Sequence, residues 1–196
     1  MSWFKQRMYY KLQAIMNFPW ITYSALGICI LVFLWEIPYL SSYSNPIVEN
    51  YAVNSSMVFS MKQYYRLITA GFVHLSWSHI IMNGYSLYIL GPEVERAMGH
   101  GKYFALLICS IIIGNLAVCI LAPYTSAAGI STGLYGLMVY VIARIAVNNG
   151  IHAIIEDSGI RWTILVNLIM NFQPGISWQG HLGGAITGLV FAILGA

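Results

Sequence analysis

The sequence predicts an all-α membrane protein: a bundle of six transmembrane helices with one long amphipathic loop after the first. Three observations carry this prediction. Of the 196 residues, 59% are hydrophobic and 8% are charged, where a soluble domain carries about 25% charged residues. The apolar residues gather into runs close to the roughly 20 needed to cross a bilayer as a helix, with Gly, Pro and charged residues between them. The Lys and Arg residues fall unevenly on the two sides that such a topology creates.

Composition also bounds function. No basic cluster with interleaved aromatics points to nucleic acid. Cys29, Cys109 and Cys119 each lie in an apolar run, and none has a CxxC neighbour. An odd number so placed reads as small buried hydrophobes rather than a disulfide frame or a metal knot. No cofactor and no metal are expected.

In chain order, residues 1–19 carry Lys5, Arg7 and Lys11 among aromatics and read as a cytoplasmic, interfacial segment; residues 20–196 form the membrane domain. Run 20–37 is long enough to span and lacks an A-x-A-type cleavage site, so it is expected to stay as an anchor. Loop 38–72 is longer than a structureless connector should be. Its second half, 57–68, is amphipathic and aromatic and suits the headgroup region. The second run starts near Ser76 or Ser78 and continues to Leu90, where Gly91-Pro92 interrupts it. Glu93, Glu95, Arg96 and Lys102 then mark a polar turn. Residues 103–122 form the third span, and Pro123-Tyr124-Thr125-Ser126 a short uncharged loop. The fourth span opens on Gly129-Ile130-Ser131-Thr132-Gly133-Leu134-Tyr135-Gly136 and ends around 144–147. A polar loop, 148–161, carries Glu156 and Asp157. Run 162–172 is apolar but short, Gln173-Pro174-Gly175 breaks it, and 177–196 is a last apolar run containing His181.

Parity decides the short run. If 162–172 crosses, there are six spans and both termini share a side. Lys5, Arg7, Lys11, Arg96, Lys102, Arg144 and Arg161 then face Lys62 and Arg66, seven of the nine basic residues against two. That bias places both termini in the cytoplasm of a multi-pass cell-membrane protein. Without the crossing, His181 and Ser131 would lie on opposite faces.

With six spans, polar side chains converge. Ser131 stands at the outer end of span four, at a helix N-terminus where free N–H groups and the positive end of the macrodipole point outward. His181 lies a few residues into span six, roughly 5–10 Å down. His79 and Asn83 share one face of span two through their i, i+4 spacing. Ionisable residues inside a bilayer are costly and mark functional sites, although a serine there can equally serve as a helix cap and a histidine can bond a neighbouring helix. Gly133 and Gly136 in span four, with Gly183, Gly184 and Gly188 in span six, permit close helix approach.

These residues resemble the rhomboid intramembrane serine proteases of the compact six-helix bacterial type. The resemblance runs from the first span to the C-terminus. It rests on Gly129-x-Ser131 with Tyr135-Gly136, on His181-x-x-Gly184-x-x-x-Gly188, and on His74-x-x-x-x-His79-x-x-x-Asn83. Tyr65-Arg66 stands where that family has Trp-Arg, and Glu95-Arg96 with Gly99 is similar to its polar turn. The resemblance implies a rhomboid-like bundle in which Ser131 is the nucleophile and His181 the general base. His79, Asn83 and the Ser131 N–H would stabilise the oxyanion. Tyr135 would support the His181 ring, Gly129 would keep the oxyanion site open, and His74 would be structural. Transmembrane proteins are the implied substrates, held in the lipid bilayer. Thr132 replaces a frequent glycine and Gly180 a frequent alanine; changed packing is the expectation.

The chemistry stands beside the resemblance. A serine hydroxyl needs a base to become a nucleophile, and a neutral histidine supplies one and later protonates the leaving amine. No Asp or Glu lies near the outer ends of spans four and six, so a Ser–His dyad is expected. The site must admit water from outside, and the short fifth span suits a loose lateral wall. The competing readings are a non-catalytic relative that binds transmembrane clients, a small transporter, and a metal site of His74, His79 and His181.

Overall fold

A computed structural model describes residues 17–156, 158–171 and 175–195. The interfacial placement expected of segment 1–19, and the break expected at Gln173-Pro174, lie largely outside them. Helix α1 (Trp20–Glu36) is followed by a long connection that holds two short helices, α2 (Pro46–Tyr51) and α3 (Arg66–Thr69). The helices α4 (Trp77–Met98), α5 (His100–Leu121) and α6 (Ser131–Asn149) come next. A short α7 (Ile151–Glu156) leads into α8 (Ser158–Met170), and α9 (Trp178–Ile193) ends the chain. Among the described residues three helical stretches, Trp20–Tyr39, His100–Leu121 and Ser131–Asn149, are long and apolar enough to cross a membrane. Helix α4 has the length, but carries Asn83, Glu93, Glu95 and Arg96.

The surface fits lipid. Leu31, Leu34, Ile81, Met82, Ile186 and Ile193 are exposed on α1, α4 and α9, whereas Thr22, Glu36, His74, Glu95, Ser110 and Asn115 are buried. A water-soluble fold does the reverse with its large apolar groups. The chain is a multi-pass membrane protein, apolar outward and tied by polar groups within.

The centre is the trio α5, α6 and α9, which glycine lets come together. A Cβ on Gly184 would collide with the Thr132 carbonyl oxygen, and one on Gly188 with that of Gly136. Backbones this close give extensive dispersion contact without bulky side chains.

The connection after α1 is folded. Asn45 caps α2 by accepting from Ile47 N at 3.0 Å and Val48 N at 3.2 Å. Val53–Asn54 (β1) pairs antiparallel with Ser126–Ala127 (β2), which ties this connection to the α5–α6 turn. Arg66 is buried within it, donating to Ala52 O and Glu49 O, both at 2.8 Å, and to Gln63 Oε1 at 2.6 Å. Segment 57–68 is therefore a wrapped loop with a π turn (Ser56–Ser60) and α3, while Phe59, Met61 and Tyr64 remain exposed along it.

Two helix boundaries differ from the sequence expectation. Gly91-Pro92 does not end α4, which continues to Met98 and stops at Gly99 with φ +80°. In a membrane helix the hydrogen bond lost at proline is tolerated when neighbours pack the site, and here Thr22 and Tyr103 press against Gly91. The polar turn beyond is not solvated throughout. Glu95 is fully buried and accepts from Ile21 N, Thr22 N and Thr22 Oγ1 at 2.7–2.9 Å, so its carboxylate caps the start of α1. Expected loop 148–161 is mostly helical, forming α7 and the first turn of α8.

Candidate active site

Ser131 is the first residue of α6, and the residue before it, Ile130, supplies no side-chain cap. Its Oγ lies 2.9 Å from His181 Nε2. The two are 50 residues apart in sequence and meet because α6 and α9 touch backbone to backbone at Thr132 and Gly184. The N–H groups of the first turn of α6 have no intrahelical acceptor, so partial positive charge gathers beside the hydroxyl.

The imidazole is held on three sides. Tyr135, one turn along α6, stacks on it with ring centroids 4.0 Å apart and planes at 11°. Ser131 faces Nε2. At the other nitrogen, Nδ1, stands Asn171 Oδ1 at 2.6 Å. Asn171 follows the last turn of α8, and its Nδ2 donates to Tyr135 Oη at 2.8 Å and to Asn167 O at 3.2 Å. Tyr135 Oη donates in turn to Asn167 O at 2.9 Å.

A second group of donors faces the same region from α4. Ser76 Oγ accepts from His79 N at 3.2 Å and fixes the start of that helix. His79 and Asn83 then project along one face toward Gly129. A Cβ on Gly129 would lie 2.6 Å from His79 Nε2 and 3.3 Å from Asn83 Nδ2. Gly129 has φ +120°, in the region that favours glycine, so conformation and space both demand that residue. Leu75 N donates to His79 Nδ1 at 3.4 Å, which leaves Nε2 with the proton on the Gly129 side. Asn83 is buried, and its Nδ2 has no hydrogen-bond partner among the described residues. A buried donor without an acceptor is rare enough to need an explanation.

His74 lies apart from this chemistry. It is fully buried, its Nδ1 lies 3.2 Å from Phe72 O, and its backbone N–H donates to Glu36 Oε2 at 3.1 Å. It packs edge-on to His79 with centroids 5.0 Å apart, which braces the His79 ring. Among the described residues no group of three or more His, Cys, Asp or Glu side chains is arranged to hold a metal ion.

Thr132 and Gly180 prove to be one feature. A Cβ on Gly180 would meet Thr132 Cγ2 at 3.0 Å and Val118 Cγ2 at 3.1 Å. A Cβ on Gly114 would meet Thr132 Cβ at 2.6 Å. The larger residue behind the serine is thus housed by the smaller one before the histidine. Asn171 is the site residue that sequence reasoning missed. A neutral amide at the end of a short apolar run carries no motif, and the polar break after it draws attention away.

Comparison with known proteins covers the segment that carries these residues. A family model described as "Rhomboid domain" matches residues 61–196. The chain is 29% identical over 178 residues to "Rhomboid protease GluP" of Bacillus subtilis (strain 168), covering 89% of this chain and 34% of that protein. It therefore spans about a third of that relative's length. It is 25% identical over 182 residues to "Putative rhomboid protein L523" of Acanthamoeba polyphaga mimivirus, covering 89% and 90% of the two chains. With "Putative rhomboid protease YdcA" of Bacillus subtilis (strain 168) it shares 23% over 166 residues, 82% of each chain. The match reaches from the Arg66 loop through the α4 donors to the glycine-packed pair that brings serine and histidine together, and the chain accordingly belongs to the rhomboid family.

Proposed function

We propose that this chain is an intramembrane serine endopeptidase that cleaves transmembrane substrates near the outer membrane face. The observation that carries the reading is the 2.9 Å contact between Ser131 Oγ and His181 Nε2, beside an α6 N-terminus and an Asn83 Nδ2 that bonds nothing among the described residues. His181 takes the hydroxyl proton as Ser131 Oγ attacks the scissile carbonyl carbon. The resulting oxyanion receives hydrogen bonds from His79 Nε2, Asn83 Nδ2 and the Ser131 N–H. Collapse breaks the C–N bond, and the imidazolium gives its proton to the leaving amine. Water then attacks the acyl-enzyme by the same route. Tyr135 keeps the ring in register, and Gly129 leaves room for the oxyanion.

The proposed topology has six crossings, both termini in the cytoplasm of a cell-membrane protein, and the site at the outer end. It is supported by the sorting of basic residues and by β1–β2 pairing, which gathers the loops of one face. Among the described residues α8 makes its extensive contact only with α7. It joins the bundle through the Asn167 and Asn171 bonds, which suits a wall that a substrate helix can displace.

The test is labelling by a serine-directed fluorophosphonate in detergent together with cleavage of a membrane reporter. Wild type is expected to label and cleave, and Ser131→Ala and His181→Ala to do neither. Labelling that persists in Ser131→Ala would remove the assignment. Reporter binding without cleavage in wild type would favour a client-binding protein.

A further inference from the structure

A histidine that serves as a base must present an unprotonated nitrogen to the hydroxyl, and the group at its other nitrogen decides this. The bonds around His181 can be traced from an atom that can only accept. Asn167 O receives the Tyr135 hydroxyl proton at 2.9 Å and one Asn171 Nδ2 proton at 3.2 Å. Tyr135 has then spent its proton, so at the 2.8 Å contact its oxygen accepts the second Nδ2 proton. The amide orientation is thereby fixed, and Oδ1 is the atom that faces His181 Nδ1 at 2.6 Å. An amide oxygen accepts, so Nδ1 carries the hydrogen and Nε2 turns its lone pair to Ser131. Reversing the amide would set two acceptors against each other at Asn167 and would force the hydrogen onto Nε2.

We propose that Asn171 is a positioning residue that locks the neutral His181 ring in the Nδ1–H tautomer, so that the serine and histidine work with a third, uncharged partner. The inference rests on the protease reading. An amide suits the place: it selects the tautomer as a carboxylate does, without burying an anion in a low-dielectric site. It also stabilises the imidazolium less than a carboxylate would, so its contribution is moderate. Among the described residues the titratable groups that act on the ring are Tyr135, stacked on it from α6, and His79 on α4, through its charge; the neutral Asn171, just past α8, faces Nδ1. Because Asn171 directly follows α8, the same bond links the base to the helix that would form the lateral wall.

The experiment uses the full chain in detergent, with 15N-labelled histidine and His181 assigned by difference from His181→Gln. Wild type is expected to show the Nδ1–H tautomer at His181, and Asn171→Ala a mixture. Reporter cleavage by Asn171→Ala is expected to lose about 10- to 100-fold in kcat with little change in KM, the range typical when the partner that orients a metal-ligating histidine is removed. Asn171→Asp should recover most of the rate. It should also move the acidic limb of the pH profile upward, since a carboxylate favours the imidazolium. An unchanged His181 tautomer in Asn171→Ala, or an Asn171→Asp profile that superimposes on wild type, overturns the proposal. Failure of the protease reading looks different: wild type would neither label nor cleave, while the tautomer measurement would still decide the role of Asn171.

Discussion

Asn83 is the residue at which stability and the proposed chemistry part company. Its Nδ2 is buried and bonds nothing among the described residues, so Asn83→Ala removes a donor without breaking a bond that Nδ2 makes in the folded protein. Stability should change by less than about 1 kcal/mol or rise slightly, as for groups held for function at a cost to the fold. The turnover rate should nevertheless fall about 10²–10³-fold, the usual effect of deleting one oxyanion donor. Thermal unfolding in detergent beside reporter kinetics would check both; a large loss of stability would show that Asn83 is structural. Ser131, His181, His79 and Asn83 were legible in the sequence because each is a polar residue at a definable depth in an apolar run. Asn171 was not, and the reason is physical. Its value lies in accepting from one ring nitrogen, and the atom that orients it, the Asn167 carbonyl, belongs to the backbone and is encoded by no side chain.

At the scale of elements, the α5–α6–α9 trio is limited by backbone approach, and Thr132 tests how tightly. The sequence showed two separate departures from the family's habit, whereas the structure shows a single fitted pair. Gly180→Ala should cost about 1–3 kcal/mol, because the added methyl meets Thr132 Cγ2 at 3.0 Å and Val118 Cγ2 at 3.1 Å in a packed interface. Thr132→Ala removes that Cγ2 together with a buried hydroxyl that bonds nothing among the described residues. In its background Gly180→Ala should be cheaper by about 0.5 kcal/mol or more, a coupling that a double-mutant cycle in detergent would read directly. Strict additivity would mean that the two positions are independent. Helix boundaries were less legible than packing. Pro92 looks like a terminator until Thr22 and Tyr103 are seen against Gly91, and Glu95 looks like a solvated turn residue until it is found capping α1. Both depend on Thr22, which lies about 70 residues away in the chain.

For the whole molecule, the heights of α6 and α8 bear on how often the chain crosses the bilayer. From Tyr135 to Asn149 helix α6 descends about 21 Å, and from Ser158 to Asn171 the chain climbs about 20 Å at 1.5 Å per residue. The Tyr135–Asn171 bond brings the two paths level again. A return of this size regains the depth lost, although α8 itself has only 13 residues. A helix shorter than the roughly 30 Å hydrocarbon core is accommodated by local thinning or by neighbouring helices. Six crossings then put Tyr43, Tyr124 and Gly175 on one side of the membrane and Asn149 and His152 on the other. Asn149 ends α6, Tyr124 lies next to β2, and Tyr43 lies in the connection that β1–β2 pairing ties to the α5–α6 turn. Single substitutions Tyr43→Cys, Tyr124→Cys and Gly175→Cys should therefore react with a membrane-impermeant maleimide in intact cells. Asn149→Cys and His152→Cys should react only after permeabilisation. The native background is low, because Cys29 and Cys119 are buried and Cys109 is half-buried. Gly175→Cys decides the case: labelling that tracks His152→Cys would mean that α8 turns back without crossing, and the inferred count would drop.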